Sequence, residues 1–265
     1  MSWFFVADTH FGHGNIIKFC KRPFLSFEDS GLCDLIERGT IPHSDLAVTP
    51  ESIREMDECI LNSINNVVGA DDNLVIVGDF CLCKNGKSNG KKSRAEEYRE
   101  KINCKNVYLI LGNHDDRNLL KPLFTAIYEN YLFKIDGQMI FASHYPARSW
   151  DRAAYGSWMI YGHVHNAYFA QDSGGLSKYH RHVFEKGFRQ VLGESLANDS
   201  LIEELLSVVS SVNGIDLTVD VGVDHVRQGV PFGTPWSMDD LRKHMEKKKN
   251  AWELRNNIFQ QLKKG

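Results

Sequence analysis

Residues 109–116 read Leu-Ile-Leu-Gly-Asn-His-Asp-Asp, so an apolar run ends at Gly112 and four polar side chains follow it directly. With Val107 and Tyr108 before it, the apolar run has the length of a buried β-strand. A simple turn after such a strand needs no histidine, whereas amide, imidazole and carboxylate groups suit metal binding and proton transfer. The stretch therefore predicts a strand of an α/β domain with a functional site at its carboxyl end.

Four other apolar runs of strand length also end in polar groups. They are residues 3–7, 74–77, 139–142 and 158–161. Because these runs lack clean alternation, they predict strands that are covered on both faces, as in a layered α/β domain. Residues 217–221 predict one further strand near the carboxyl end of the chain.

Helical patterns lie between and after these runs. Thr49-Pro50 is typical of a helix start, and the apolar residues after it keep a three-to-four spacing. Residues 237–240 form a capping-box pattern in which aspartate replaces glutamate. The expected helices cover residues 50–68, 94–103, about 238–249, and 250–263.

Length and composition favour a globular protein in solution. The 265 residues allow one large domain or two small ones, and 42% hydrophobic and 25% charged residues are ordinary values. The formal net charge of −3 argues against a surface that coats nucleic acid, although it allows a local basic groove. No apolar run approaches the roughly 20 residues that span a bilayer. Residues 1–8 carry no basic leader, so we expect a cytoplasmic protein.

The six cysteines are scattered, and without an export signal they are expected to be reduced thiols. Cys81-x-Cys83 is the close pair among them. It is consistent with a soft-metal pair or with two thiols on a loop, and we favour the second because no other pair stands at zinc-finger spacing.

Seven oxygen and nitrogen donors follow the predicted strands. They are Asp8, His10, Asp79, Asn113, His144, His163 and His165. Such donors suit Mn²⁺, Fe²⁺ or Zn²⁺, and seven of them exceed the needs of one tetrahedral zinc ion. Two ions roughly 3.5–4 Å apart would use them all if one carboxylate bridged both ions. Asp79 is the candidate bridge, because it is a lone carboxylate after a glycine that lets the backbone approach closely.

The motifs Asp8-x-His10, Gly78-Asp79, Gly112-Asn113-His114-Asp115, His144 and Gly162-His163-x-His165 resemble the five signature blocks of the calcineurin-like metallophosphoesterase superfamily. Residues 8–17, 220–224 and 235–237 further resemble a branch of small bacterial and phage phosphoesterases. The resemblance implies a four-layer αββα sandwich over a single domain, residues 1–265. Insertions at about 28–48 and 168–215 depart from the compact pattern of that branch.

The resemblance also implies how the donors divide between two divalent ions. Asp8, His10 and His165 would hold the first ion. Asn113, His144 and His163 would hold the second, and Asp79 would hold both. Mn²⁺ is the expected metal, with Fe²⁺, Zn²⁺ or Ni²⁺ as alternatives. Water between two such cations becomes a hydroxide nucleophile near neutral pH.

His114 is the candidate proton donor to the leaving alkoxide, because it adjoins Asn113 and is not needed as a ligand. Asp115 is expected to fix its tautomer and keep it protonated. A structural turn residue is the alternative interpretation of His114.

Several further residues are candidates for substrate contact. They are His13, Asn15, Arg117 and Arg148, and for each a solvated surface position is an equal alternative. The basic loop 84–94 is consistent with attraction of nucleic acid, but a solvated loop is favoured. Within residues 168–215, an apolar pattern around Ile202–Val209 predicts one helix. It could cap the site, contact a second subunit or simply lie on the surface.

The predicted function is a dinuclear metal-dependent phosphodiesterase that acts on a nucleotide-type or nucleic-acid phosphoester. The alternatives are a phosphomonoesterase, a catalytically silent scaffold of the same fold, and a nuclease acting on polymeric DNA or RNA. No membrane partner is expected, and the sequence leaves the oligomeric state open.

Overall fold

The structure is a computed structural model that describes residues 1–25, 35, 48–82, 92–147, 149–165, 178–193, 198–213 and 217–262. The predicted insertion 28–48 lies outside these residues apart from Leu35 and Val48. Arg148 and most of the basic loop, residues 83–91, also lie outside them.

The first sheet has five strands in the order β4-β3-β2-β1-β9. Their bounds are β1 Trp3–Val6, β2 Asn73–Val77, β3 Asn106–Ile110, β4 Ala126–Tyr128 and β9 Trp236–Ser237. Strands β1 to β4 are parallel, and only the two-residue β9 runs antiparallel to its neighbour β1. The carboxyl ends of β1, β2 and β3 therefore meet at one edge of the sheet.

The second sheet has four strands in the order β5-β6-β7-β8. Their bounds are β5 Asn130–Ile135, β6 Gln138–Ser143, β7 Trp158–Tyr161 and β8 Thr218–Asp220. Strands β5 and β6 form a hairpin whose turn residues, Asp136 and Gly137, both have left-handed φ angles of 49° and 83°. Aspartate-glycine suits such a turn, because glycine and aspartate tolerate positive φ. Strands β6, β7 and β8 are parallel.

Seven α-helices and two short 3₁₀ helices lie in the described part of the chain. The α-helices are α1 Gly14–Phe19, α2 Pro50–Val67, α3 Arg94–Glu100, α4 Arg117–Leu120, α5 Lys178–Leu192, α6 Asp199–Asn213 and α7 Met238–Leu262. The 3₁₀ helices are Lys121–Leu123 and Ala153–Tyr155. At the start of α2, the Thr49 side chain accepts a hydrogen bond from the Ser52 amide at 3.2 Å. This contact and Pro50 in the first turn explain why the helix begins there.

Two hydrophobic cores hold the layers together. Alternation along β1 places Val6 in the core beneath helices α1 and α2, and places Phe5 in the core between the two sheets. Helix α7 adds Leu241 and Met245 to the inter-sheet core. The predicted αββα class is confirmed as two facing, parallel-rich sheets with helices packed against them.

The strands predicted from apolar runs are all present, as are the helices from residue 50 and from residue 94, although the latter ends at Glu100. The capping box is confirmed, because Ser237 Oγ accepts from the Asp240 amide at 3.1 Å and Asp240 Oδ2 accepts from the Ser237 amide at 3.0 Å. The prediction of two carboxyl-terminal helices was wrong, because α7 continues without a break to Leu262. Nothing in residues 249–250 stops a helix, since neither is proline or glycine.

The helix predicted around Ile202–Val209 is α6. A second helix, α5, precedes it and was not predicted from the sequence. Their contact is apolar, with Ile202 and Leu206 packed against Phe184 and Phe188. The expectation of reduced thiols was wrong for Cys81, which is disulfide-bonded, whereas Cys20, Cys59 and Cys104 are free. No helix in the described residues has the length and apolarity needed to cross a membrane.

Candidate dinuclear metal centre

The predicted donors come together where the two sheets meet. Ala7, directly after β1, donates its amide to the Val221 carbonyl at 3.0 Å and forms a parallel bridge with Gly222. This contact joins the carboxyl edge of the first sheet to that of the second. Side chains that follow β1, β2 and β3 therefore lie beside those that follow β6 and β7.

Asp8, His10 and His165 form the first cluster. One ligand atom from each lies within 4.8 Å of the others. Asp8 and His10 are buried, and neither ring nitrogen of His10 has a hydrogen-bond partner among the described residues. A buried imidazole without a partner is costly unless another group occupies its lone pair, so the cluster fits a divalent cation.

Asp79, His144 and His163 form the second cluster, again with one ligand atom of each within 4.8 Å of the others. Asn113 belongs beside it, because its Oδ1 lies 3.1 Å from Nε2 of His144. The Nδ1 of His144 faces the Val77 carbonyl at 3.0 Å. Donation to that carbonyl leaves Nε2 free to bind a metal, which is the usual arrangement of a metal-binding histidine.

Asp79 stands between the two clusters. Its Oδ2 lies 3.4 Å from Nε2 of His10 in the first cluster and 3.4 Å from Nε2 of His144 in the second. A single carboxylate at equal distance from both sets of imidazoles is the arrangement expected of a ligand that bridges two cations. All seven predicted donors are thus brought together.

The comparisons with known proteins agree with this geometry. A family model described as "Calcineurin-like phosphoesterase" matches residues 1–226. The chain belongs to this family. The family binds pairs of divalent metal ions, and the two clusters of this chain are candidate ligand sets for them.

Three relatives can be compared with this calcineurin-like phosphoesterase. An "Uncharacterized protein MJ1445" of Methanocaldococcus jannaschii is 30% identical over 163 residues, which cover 61% of this chain and 68% of that protein. The crystal structure of a protein of unknown function, AQ665 of Aquifex aeolicus, has a TM-score of 0.50 at 18% identity, over 91% of this chain and 98% of that one. It supports the fold alone. Yfce, a phosphoesterase from E. coli, gives a TM-score of 0.29 at 16% identity, over 62% of this chain and 70% of that one.

Burial and charge give the first cluster unusual proton affinities in the absence of a cation. Burial raises the pKa of Asp8 to about 7 and lowers the pKa of His10 to about 2. Burial also opposes the charged form of His165, but its hydrogen bonds to Asp224 and Cys20 and the charge of Asp8 together outweigh this effect and raise the pKa of His165 to about 11. A bound cation would change the charge near both imidazoles and therefore the pKa values of His10 and His165.

The second cluster holds its carboxylate in the ionised form. Burial alone would raise the pKa of Asp79, but the hydrogen bond from His144 and the charges of His144 and His10 lower that pKa to about 2. Burial opposes the charged form of His144, yet the hydrogen bond to Asp79 and the charge of Asp8 raise its pKa. Asp79 is therefore ready to accept a cation at any pH near neutrality.

The backbone at this edge is strained. Five of the eight non-glycine residues with positive φ in the described chain are cluster residues. They are Asp8, His10, Asp79, His163 and His165, with φ between 47° and 70°. Such conformations cost energy and are retained mainly at functional sites. Glycines provide the space: a Cβ at Gly112 would lie 2.2 Å from Asp79 Oδ1, and a Cβ at Gly78 would lie 2.1 Å from His144 Nδ1.

Asp115 does not have its predicted contact. Its Oδ2 accepts hydrogen bonds from the amides of Asp79 and Gly112, and its Oδ1 accepts from the Phe80 amide, each at 2.9 Å. No hydrogen bond joins it to the His114 ring within the described chain. The side chain of Asp115 is short and directly follows His114 in the sequence, so its carboxylate contacts backbone amides and not the imidazole of His114. It links the turn after β2 to the turn after β3.

His114 itself lies at the rim of the site and is exposed. Its amide donates to Asp79 Oδ1 at 2.9 Å, and its ring centroid is 5.4 Å from that of His10. The turn therefore holds the imidazole beside the first cluster without using it as part of either cluster.

The other predicted contact residues differ in how near they lie to the clusters. His13 is half-buried, with its ring 5.4 Å from that of His10 and 6.0 Å from that of His114, whereas Asn15 is exposed on α1. Arg117 is exposed and donates to Glu129 at 2.6 Å, which turns its guanidinium towards a surface partner. Arg148 lies outside the described residues.

Four residues near the clusters were not assigned a role from sequence. Asp57 accepts hydrogen bonds from the Gly12 amide at 3.0 Å and the Tyr98 hydroxyl at 2.6 Å, which fixes the loop that carries His10. Asp224 accepts from Nδ1 of His165 at 2.7 Å, and Arg22 donates to Asp224. Tyr145 is half-exposed, with its ring 4.6 Å from that of His163. Only Asp224 stood in a motif that could have drawn attention to it.

Proposed function

We propose that this chain is a metal-dependent phosphoric ester hydrolase with two divalent ions, and that its substrates are nucleotide-type phosphodiesters. The observation that carries the proposal is the position of Asp79, whose Oδ2 is 3.4 Å from the imidazoles of His10 and His144. Asp8, His10 and His165 would hold one ion, Asn113, His144 and His163 the other, and Asp79 both. Mn²⁺ is the expected metal, with Fe²⁺, Zn²⁺ and Ni²⁺ as alternatives.

When bound, two such ions neutralise the phosphate oxygens, orient the phosphorus and activate water. The remaining tasks fall to the protein. The strained turns after β1, β2 and β7 hold the donors at one edge before any substrate arrives, so little reorganisation is needed during the reaction. The Asp115 carboxylate keeps the turns after β2 and β3 in register through three backbone amides.

His114 is the proposed proton donor to the leaving oxygen. It is exposed, whereas His10 beside it is buried, so His114 is the imidazole of the pair that can reach a substrate. Hydrolysis of a diester expels an alkoxide, which requires a proton, and positioned acid catalysis contributes about 10²–10⁴-fold. A monoester expels an alkoxide as well, so the preference for a diester rests on analogy with the family.

The aromatic residues at the rim of the site favour a nucleotide-type substrate. Tyr145 presents a half-exposed ring at the second cluster, and His13 lies beside His10 and His114 at the first. An aromatic ring at the edge of a cationic site suits a planar base attached to a phosphate. The basic loop offers less support for a nucleic-acid polymer, because Lys92, its described lysine, is engaged with Glu100 at 2.6 Å.

The proposal is tested by hydrolysis of bis-p-nitrophenyl phosphate and p-nitrophenyl phosphate by the metal-free protein with and without added Mn²⁺. We expect turnover only with metal, and a higher kcat/KM for the diester. A higher kcat/KM for the monoester would identify a phosphatase instead. Retention of two ions without turnover of either ester would favour the scaffold alternative.

The role of His114 is tested by comparing leaving groups. Nitrophenolate leaves readily without a proton, but an alkoxide does not. We therefore expect His114→Gln to slow hydrolysis of a dinucleotide far more than hydrolysis of bis-p-nitrophenyl phosphate. An equal loss for both substrates would mean that His114 positions substrate and does not donate the proton.

A further inference from the structure

Arg22 is a fully buried cation that the catalytic proposal does not use. It follows α1 and is 2% exposed. A guanidinium in such a place must be paired and fully hydrogen-bonded, because an uncompensated buried charge is strongly destabilising. Its partners therefore indicate what it is there to hold.

The guanidinium has five N–H donors, and each has an acceptor. Nε and Nη2 donate to Oδ1 and Oδ2 of Asp224 at 2.9 Å and 2.8 Å, in a bidentate pair. The second Nη2 hydrogen reaches the Asp8 carbonyl at 2.7 Å. Nη1 donates to the Thr9 carbonyl at 3.2 Å and lies 3.3 Å from Met56 Sδ. No donor capacity is left over.

Asp224, the first partner of Arg22, connects Arg22 to the first cluster through His165. Asp224 Oδ2 lies 2.7 Å from Nδ1 of His165 and also accepts from Arg22. A carboxylate that accepts from Nδ1–H fixes the imidazole so that Nε2 faces the ion, and such outer partners strongly affect metal affinity. Arg22 in turn fixes both oxygens of that carboxylate, so the carboxylate cannot rotate away.

The carbonyls of Asp8 and Thr9, the other partners of Arg22, connect Arg22 to the backbone of the first cluster. Asp8 has a φ of 56°, a conformation that aspartate tolerates but does not prefer. The hydrogen bonds from Arg22 to the carbonyls of Asp8 and Thr9 hold this turn in place. Two donors of the first cluster, at positions 8 and 165, are therefore held by one side chain.

We propose that Arg22 is a positioning residue of the first metal site, which sets the orientation of His165 through Asp224 and holds the backbone of Asp8. The inference rests on the proposed metal centre. Lysine cannot replace arginine here, because it has three donors on one nitrogen and cannot form the bidentate pair and reach both carbonyls. Arg22→Lys keeps the charge, so its effect reports geometry.

The experiment measures Mn²⁺ affinity at the first site alone. His163→Ala removes a donor of the second cluster and serves as the background. Isothermal titration of the metal-free protein compares this background with Arg22→Lys added to it. We expect Mn²⁺ to bind about tenfold more weakly, or worse, in the double variant. Its unfolding midpoint in chelator is measured in parallel to establish that it is folded.

Arg227→Lys in the same background is the matched control. Arg227 also donates to a carboxylate, Asp240 at 3.0 Å, and to the carbonyls of Thr234 at 2.6 Å and Pro235 at 3.1 Å. These partners do not include a cluster residue. The control also loses hydrogen bonds to a carboxylate and two carbonyls, and we expect its Mn²⁺ affinity to stay within twofold of the background.

Each result has a distinct meaning. A folded Arg22→Lys variant that binds Mn²⁺ within twofold of the background overturns the inference and leaves the metal centre intact. Absence of Mn²⁺ binding by the wild-type chain overturns the proposed function itself. If Arg22→Lys does not fold, a long-range ¹H–¹⁵N spectrum of the Zn²⁺-loaded wild-type protein decides. A protonated Nδ1 on His165 supports the inference, and a metal-bound Nδ1 overturns it.

Discussion

The first and second clusters of the site are built from the same kinds of residue at the same edge, but their surroundings differ. The first is enclosed: Asp8 and His10 are buried, and a charged pair, Asp224 with Arg22, lies behind His165. In the second, Asp79 and His144 are buried as well, but Nδ1 of His144 faces a backbone carbonyl in place of a charged pair, and Asn113 is exposed. We infer that the first cluster is organised for tight retention of its ion, while the second is open to exchange and to substrate.

The largest effect is expected at the residue that the two clusters share. Asp79→Asn removes the charge that lies 3.4 Å from the imidazoles of both clusters, so both ions should bind poorly. We expect turnover of bis-p-nitrophenyl phosphate to fall on the order of 10²–10³-fold or more. Metal content after dialysis and the far-ultraviolet circular dichroism spectrum are recorded on the same sample. A folded variant that keeps a tenth of the wild-type turnover would contradict a bridging role.

The next effect separates the clusters from each other. His163→Ala weakens the second cluster, and His165→Ala weakens the first. If the first cluster retains its ion more tightly, dialysed His163→Ala protein should keep close to one Mn²⁺, and His165→Ala protein should keep clearly less. Each removes a ligand, so each loss in affinity should be at least the about 10–100-fold that follows loss of an outer-shell partner. Equal retention by the two variants would show that the charged pair behind His165 has no effect on affinity.

A smaller effect is expected on the number of protons that the protein releases when it binds metal. Without metal, the first cluster carries Asp8 with a pKa of about 7 and His165 with a pKa of about 11, whereas Asp79 in the second has a pKa of about 2. Ions bind only the deprotonated ligands, so affinity should rise with pH and binding should release protons. At pH 6 both Asp8 and His165 must lose a proton. By pH 8 Asp8 has already lost its own, so the first cluster should release fewer protons.

Titration calorimetry in buffers of different ionisation enthalpy counts the protons released. In the His163→Ala variant, which reports the first cluster, the count should fall between pH 6 and pH 8. In the His165→Ala variant Asp79 contributes no pH-dependent release, because it is ionised throughout, and His144 is the ligand of the second cluster whose raised pKa gives it a proton to lose. A proton count that is independent of pH in the first variant would mean that burial does not raise the pKa of Asp8.

The contrast between the clusters also shows which features of the site could be predicted from the sequence. The seven donors were predictable because each follows an apolar run, and the carboxyl ends of parallel strands must share an edge. The enclosure of the first cluster was not predictable. Arg22 and Asp224 are 202 residues apart and meet only after β8 has paired with β7, and a lone arginine in an amino-terminal loop carries no local signal of burial.

The same reason explains the errors of the fold prediction. The core strands were found from longer continuous apolar runs, but the apolar run in β5 covers only residues 131–133 and β9 has only two residues, so neither has a strong pattern. The role of Asp115 was misjudged because the choice between a neighbouring ring and three backbone amides depends on the turn geometry. Local pattern predicts which residues reach the site, and tertiary contacts decide what each of them touches.

The smallest effect tests the open side of the second cluster. Tyr145 is 49% exposed, and its ring lies 4.6 Å from that of His163 and 5.1 Å from that of His144. If it stacks on a base, Tyr145→Leu should raise KM for thymidine 5′-p-nitrophenyl phosphate about fivefold, which corresponds to about 1 kcal/mol of stacking. KM for methyl p-nitrophenyl phosphate, which has no base, should change little. Tyr155→Leu is the control, because Tyr155 is 84% exposed and lines a groove with Gln138 and Trp158 at the amino ends of β6 and β7. An equal rise in KM for both esters would mean that Tyr145 supports His163 and does not contact the base.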